Sequence, residues 1–360
     1  MVSSKVAIVG TVGVPAKYGG FETLAEYLTR YLSGQYDLTV YCSSKSYDVR
    51  PDTYNGARLV YLPLNANGVQ SILYDMVSIF RALGYADTIL VLGVSGCVVL
   101  PLVKLLSSKK VIVNIDGLEW KRDKWSGFAK WFLKLSERVA VRYADRVVTD
   151  NKVIQDYVLA EYGAQSSLIA YGGDHVGEVS RGGPQRADYP FTNQKYAFSV
   201  CRIEPENNIL LLLAAAIENS VLPLVIVGNW DASHYGRELR SQYEGRENIY
   251  LLDPIYDQQA LSRLRDGCFL YLHGHSAGGT NPSLVEAMYS GLPIYAFDVD
   301  YNRETTEQGA RYFSSAAELA GMLDHLDEAS LESIGERMAE IAQRRYRWEL
   351  VANQYAELLS

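Results

Sequence analysis

Short apolar runs alternate along the chain with longer segments of helical period. VAIVG (6–10) precedes an amphipathic stretch from Phe21 to Leu32, and DLTVYC (37–42) follows. This is the rhythm of a strand, a crossover helix and a parallel strand. RLVYLP (58–63), TILVLG (88–93), KVIVNID (110–116), RVVTD (146–150) and SLIAYGG (167–173) continue it. Each run is apolar on both faces, as a strand covered by helices on either side must be. Between 176 and 195 the period stops, and GEVSRGGPQRADYPFTNQK is rich in Gly, Pro and charge, which is linker composition. The rhythm restarts with YAFSVCR (196–202), LPLVIVGN (222–229), NIYLLDPI (248–255), CFLYLHG (268–274) and LPIYAFD (292–298). The pattern predicts an α/β chain of two Rossmann-like, doubly wound parallel-sheet domains facing a cleft: 1–175, a linker over 176–195, and 196–344. Leu331 to Leu359 keeps a helical period, and its aromatic residues Tyr346, Trp348 and Tyr355 suit a helix over 345–360 that packs back on the first domain.

A length of 360 residues is enough for two cores. Hydrophobic residues at 48% and charged residues at 21% exclude a disordered or fibrous chain. The net charge of −8 speaks against nucleic acid as the main partner. The longest uncharged run, Thr88 to Val103, is broken by Gly93, Gly96 and Pro101 and falls short of the ~20 residues of a spanning helix. The four cysteines lie far apart with no CxxC, so neither a zinc site nor a disulfide framework is expected, and the reading is cytoplasmic. An excess of 27 Tyr over 9 Phe suits half-wet surfaces such as sugar clefts.

Two strand-to-helix loops could hold an anion. The first, Gly10 to Glu22, has glycines at 10, 13, 19 and 20. Their spacing is not that of the tight dinucleotide turn, so a nicotinamide cofactor is not expected. Gly10 and Gly13 read equally as plain turn residues, whereas Gly19 and Gly20, just before the helix, favour close approach of a substrate. The second and stronger candidate is HGHSAGGTNPSLVEAMYSGLPI (273–294). There a buried strand ends at His273, a small-residue loop follows, and Asn281 with Pro282 makes an N-cap and first helical residue. Loop amides and helix N-terminus together suit an anion. Glu286, one turn in, could accept both hydroxyls of a ribose or simply be a surface acid favoured by the dipole. His273 and His275 read as polar lining. Asp298-Val-Asp300 reads as a strand-end turn before a metal site. In IDGLEW, Asp116 and Glu119 fall just past a strand at the carboxyl edge where open sheets bind ligands, and Asp116 reads equally as a ligand contact or a helix cap. Lys121, Arg122, Lys124, Lys130, Lys134, Arg138 and Arg142 stand against only Asp123 and Glu137. Trp125, Phe128, Phe132, Leu135 and Val139 follow one helical line through this basic segment, with Trp131 near the cations. Such a helix can lie on an anionic membrane surface or be a core helix with a solvated face.

The order of these parts, the loop and helix ending in Glu-Ala-Met with Gly-Leu-Pro soon after, and the Arg202 segment resemble the donor half of family 4 glycosyltransferases of GT-B fold. More narrowly, VGTVGVPAKYGGFET, IDGLEWKRDKW, CRIEPENN and HGHSAGGTNPSLVEAM resemble the bacterial rhamnosyltransferase subgroup of capsule and O-antigen synthesis, over nearly the whole chain. The resemblance implies retaining transfer without a metal or other cofactor, from a nucleoside-diphosphate sugar such as dTDP-L-rhamnose to a polyprenyl-diphosphate-linked saccharide. It implies a peripheral position at the cytoplasmic face of the inner membrane, with Lys121, Arg122, Lys124, Trp125, Lys130, Trp131 and Lys134 at the surface. On that reading Arg202 and the amides of Gly278, Gly279, Thr280 and Asn281 face the diphosphate, Glu286 the ribose, and Ile255 and Tyr256 the base. His275, Gly19 and Gly20 line the donor, Tyr18, Asp116 and Glu119 meet the acceptor, and Asp116 with Arg202 is catalytic. Two positions depart from the family pattern: Gly278 where a Glu is common, and Asn207 where a Lys is. Asn207 is retained as a donor contact. The alternatives are a GT-B sugar-nucleotide epimerase and a noncatalytic nucleotide-sugar-binding protein.

Overall fold

The computed structural model describes residues 4–17, 19–115, 117–121, 127–179, 189–218 and 222–360. They form two compact units, one running to Tyr171 and taking in Trp348–Ser360, the other Gly172–Arg347. The sequence pattern divides the chain at 175. The contacts divide it at Tyr171, and the short helix His175–Val179 joins the second unit because the His175 ring meets Glu286 there.

In the first unit, strands β1 (Lys5–Val9), β2 (Asp37–Ser43), β3 (Thr53–Tyr54), β4 (Ala57–Leu62), β5 (Thr88–Leu92), β6 (Lys110–Ile115), β7 (Arg146–Thr149) and β8 (Ser167–Leu168) form one sheet in the order 3-4-2-1-5-6-7-8. Only the short β3 runs antiparallel to its neighbour. Val6 to Val9 are buried on both faces of the sheet, which explains why this run is uniformly apolar. The chain leaves β1 for β2 on one side and returns to β5 on the other. A crevice-forming switch of direction therefore lies at the carboxyl ends of β1 and β5.

Helix Gly20–Leu32 buries Leu24, Ala25, Leu28 and Leu32, the i, i+4 stripe of a core-facing helix. The long period at the C-terminus resolves into two helices, Glu328–Arg345 and Trp348–Leu359. Tyr346 belongs to the second unit's core, its hydroxyl donating to the Thr305 carbonyl at 2.8 Å. Trp348 belongs to the first, stacked on Tyr27 with ring centroids 4.4 Å apart. The last helix is held further by Asn114 Nδ2 donating to the Tyr355 hydroxyl at 2.6 Å.

The second unit is built on β9 (Ala197–Val200), β10 (Leu224–Val227), β11 (Ile249–Leu252), β12 (Leu270–His273), β13 (Ile294–Phe297) and β14 (Arg311–Phe313), ordered 11-10-9-12-13-14 and parallel throughout. Its core gathers Leu212, Leu213, Leu224, Ile226, Trp230, Leu270 and Leu272 around one face. The direction switch here falls between β9 and β12. Among the described residues no helix is long and apolar enough to cross a membrane.

Candidate functional site

The first glycine-rich loop is held by its own helix. Glu22 accepts from the Thr11 hydroxyl at 3.1 Å and the Val12 N–H at 2.8 Å. One turn later Glu26 accepts from the Ala16 N–H at 2.5 Å and the Tyr54 hydroxyl at 3.0 Å. Amides that an anion would need are thus occupied, and a carboxylate already stands at the helix N-terminus where the dipole favours negative charge. Gly19 serves the same arrangement: a Cβ there would stand 2.0 Å from Glu22 Oε2. The space expected for a substrate at Gly19 is filled by Glu22, while Gly20 opens the helix. Tyr18 lies outside the described residues.

The second switch point gathers most of the residues expected to bind a donor. Arg202 follows β9, and the His275 to Asn281 loop follows β12, the neighbouring strand. The two loops are joined. Ser276 donates to the Glu206 carbonyl from both its N–H (2.9 Å) and its hydroxyl (2.8 Å), and Asn208 Nδ2 donates to the Gly274 carbonyl at 2.9 Å. Asn207 is buried, with its Nδ2 on the Arg202 carbonyl at 2.7 Å. It braces the loop from below instead of meeting a ligand, because an amide has a donor and the reach for that carbonyl. Arg202 keeps a side chain 44% exposed, 3.6 Å from Glu204.

Across the loop the N–H groups of Ala277, Gly278 and Gly279 have no partner among the described residues. Gly278 adopts φ +118°, a conformation that L side chains rarely take, so a Glu at this position would be strained. Thr280 is buried, and Asn281 holds the N-cap position without a side-chain cap bond. That amide side chain is therefore left at the mouth of the helix Pro282–Tyr289. Ile255 and Tyr256 follow β11, two strands from β9, and Tyr256 is exposed.

Glu286 is neither a surface acid nor an unengaged ribose acceptor. Its Oε2 meets Arg265 Nη2 at 2.5 Å and its Oε1 meets His175 Nε2 at 3.2 Å. Burial raises the Glu286 pKa, but Arg265 and His175 outweigh it and hold the carboxyl below the usual range. Arg265 is fully buried and, among the described residues, its Nε and Nη1 find no partner and Glu286 is its one ion-pair partner. His273 is buried too, not cleft lining: among the described residues both ring nitrogens lack partners, burial pushes its pKa down to about 3, and it stacks on His275 at 4.3 Å. Asp298 is gripped through both oxygens by Arg303 at 2.6 and 2.8 Å, as a strand-end turn residue. Sequence spacing could not reveal Arg265 or His175, since neither lies in a motif.

In the first unit, Asp116, Arg122, Lys124 and Trp125 lie outside the described residues. Glu119 opens the short turn Glu119–Lys121, after β6. Lys134 is not a free surface cation. It bonds the Tyr157 hydroxyl, pairs with Glu161 at 3.0 Å and lies over the Trp120, Tyr157 and Tyr162 rings at 4.6 to 5.0 Å. Beneath it the fully buried Glu137 accepts from Tyr157 and Tyr162 at 2.7 and 2.5 Å. Helix Gly127–Tyr143 consequently buries Leu133, Ser136, Glu137, Ala140 and Val141. Phe128 and Trp131 are left 77% and 60% exposed. Lys121 is exposed at the edge of Trp120, and Lys130 lies between Phe128 and Trp131 in sequence. The adjoining helix Leu100–Leu106, packed on the same helix, adds exposed Leu102, Leu105 and Leu106. That addition is invisible in a sequence run that reads as uniformly apolar.

Two family models match the chain. Residues 3–174 match a domain of unknown function, DUF1972, and residues 184–345 match glycosyl transferases group 1. Phosphatidyl-myo-inositol mannosyltransferase of Mycobacterium leprae (strain TN) is 29% identical over 225 residues, 56% of this chain and 58% of that protein. The match therefore spans little more than half the length of that relative. Among solved structures, sucrose-phosphate synthase from Thermosynechococcus elongatus superposes with a TM-score of 0.82 at 16% identity, covering 99% of this chain and 98% of that one. Anabaena HepE in complex with UDP-glucose gives 0.73 at 14% identity, covering 99% of both chains. At these identities the likeness shows the fold: the two parallel-sheet α/β units are those of GT-B structures.

Proposed function

We propose that this chain is a glycosyltransferase whose second unit binds a nucleoside-diphosphate sugar. The observation that carries this is the β9/β12 switch point, where the unpartnered amides of Ala277 to Gly279, the N-terminus of helix Pro282–Tyr289 and the exposed Arg202 lie on joined loops. These are fixed positive groups placed where a leaving diphosphate develops charge. In the transfer the bond from the sugar's anomeric carbon to the phosphate oxygen breaks. The acceptor hydroxyl oxygen bonds that carbon on the same face, and its proton passes to the departing phosphate. The match of residues 184–345 to glycosyl transferases group 1 supports this reading, as do the UDP and UDP-glucose complexes of the structural neighbour HepE.

More narrowly, the donor is dTDP-L-rhamnose and the acceptor a polyprenyl-diphosphate-linked saccharide in surface polysaccharide synthesis, transferred with retention at the inner face of the membrane. The outward Phe128 and Trp131 with Leu102, Leu105 and Leu106, beside Lys121 and Lys130, support a membrane-facing surface. Basic positions interleaved with aromatics suit an anionic bilayer. The test is incubation of the purified chain with a panel of nucleotide sugars and a farnesyl-diphosphate-linked monosaccharide. Product from dTDP-L-rhamnose alone is expected. Product from another donor corrects the sugar, and binding of a donor without any transfer leaves the noncatalytic alternative, for which Gly278 and Asn207 speak.

A further inference from the structure

The segment between β4 and β5 carries no motif, yet it holds the least accommodated acid of the first unit. Asp75, in helix Gln70–Ala82, is 5% exposed and has no hydrogen bond or ion pair among the described residues. Buried carboxyls are ordinarily paired with a cation, used to cap a helix or bonded to backbone N–H groups. Asp75 does none of these.

Its position is specific. The preceding residue, Tyr74, donates its hydroxyl to the Thr11 carbonyl at 3.0 Å, in the loop that leaves β1. On its other side the turn leaving β5 closes directly on Asp75: a Cβ at Gly96 would stand 2.4 Å from Asp75 Cβ. That turn is itself fixed from the next helix, the Ser136 hydroxyl donating to the Val94 carbonyl at 2.5 Å. Helix Gln70–Ala82 thus reaches both loops that leave the neighbouring strands β1 and β5, and Asp75 lies against the second of them, at the switch point where open parallel sheets receive ligands. Burial alone moves its carboxyl well above the carboxylate range, with no compensating charge. A buried acid without a partner costs stability, and its place at a crevice marks a functional position.

We infer that Asp75 is a binding residue of the first unit, its carboxyl hydrogen-bonding a hydroxyl of the acceptor saccharide at the β1/β5 switch point. This rests on the glycosyltransferase reading above. The unit with the donor-like loops is the second one, which leaves the first unit's crevice for the acceptor.

The experiment compares wild type, Asp75→Asn and Asp75→Leu with the productive nucleotide sugar and farnesyl-diphosphate-linked galactose or N-acetylglucosamine, recording kcat, both KM values and Tm. Asn keeps the shape and an N–H donor, and Leu keeps the volume alone. Asp75→Leu is expected to raise the acceptor KM about tenfold or more, with donor KM and kcat within about threefold and Tm unchanged or higher. Asp75→Asn is expected to stay within about threefold of wild type in acceptor KM. An unchanged acceptor KM in Asp75→Leu, or lower Tm in both variants with unaltered kinetics, overturns the inference while the glycosyltransferase reading stands. Loss of kcat in Asp75→Asn at unchanged KM overturns it in favour of a proton-accepting role. Absence of transfer from any donor by wild type removes the glycosyltransferase reading and this inference with it.

Discussion

Glu286 illustrates how a single residue can be named from sequence while its partners cannot. Its place in the helix after a small-residue loop marked it for chemistry, but Arg265 and His175 reach it from other elements and fix its charge. Arg265→Met should leave the carboxylate without its main counter-charge. We expect a loss of about 3 kcal/mol in unfolding free energy, read by urea denaturation. Glu286→Ala should weaken nucleotide-sugar binding measured by calorimetry, and unchanged affinity would show that the ribose lies elsewhere. His273 gives a pH prediction. Its folded pKa is pushed down to about 3, so below the unfolded value of about 6.5 the unfolded chain binds the extra proton and stability falls as pH falls. Between about pH 7 and pH 5 this contributes a loss of about 2 kcal/mol. His273→Phe should flatten the Tm profile over that window, and a profile parallel to wild type would refute the burial argument.

At the scale of elements, helix Gly127–Tyr143 shows a face chosen by partners and not by hydrophobicity. Its apolar line through Phe128, Phe132, Leu135 and Val139 suggests a core stripe, but Ser136 and Glu137 turn inward because the Val94 carbonyl and the Tyr157 and Tyr162 hydroxyls satisfy them. Phe128 and Trp131 turn outward as a result. The expected consequence is that Phe128→Ser with Trp131→Ser abolishes co-flotation with anionic vesicles, whereas Lys134→Gln, whose charge is already met by Glu161, changes it little. Equal losses in the two variants would show that the Lys134 charge reaches the surface despite its pairing with Glu161. The first glycine-rich loop makes the same point from the other side. Its glycines were legible, but their use in closing the loop on Glu22 and Cys42 was not. Loop amides look alike in sequence whether they face a ligand or a carboxylate of their own helix.

For the whole molecule, the last helix belongs to the first unit although the sequence before it belongs to the second. Trp348→Ala should cost about 3–5 kcal/mol, the usual loss for a buried aromatic, and should appear in the unfolding of the first unit, where Trp348 stacks on Tyr27. A transition confined to the second unit would contradict that assignment. The sequence by itself determined the strands buried on both faces, though not the short edge strands β3 and β14, and with them the two-unit parallel architecture and the loop after β12, because burial on both sheet faces and the φ preferences of Gly, Asn and Pro are written locally. It could not decide which amides stay unoccupied, which acid meets Arg265, or that Asp75 stands against the turn leaving β5, unpaired among the described residues. Those depend on atoms brought within hydrogen-bond reach from distant parts of the chain, and only the tertiary structure sets which donors and acceptors are already satisfied and which are left for a ligand.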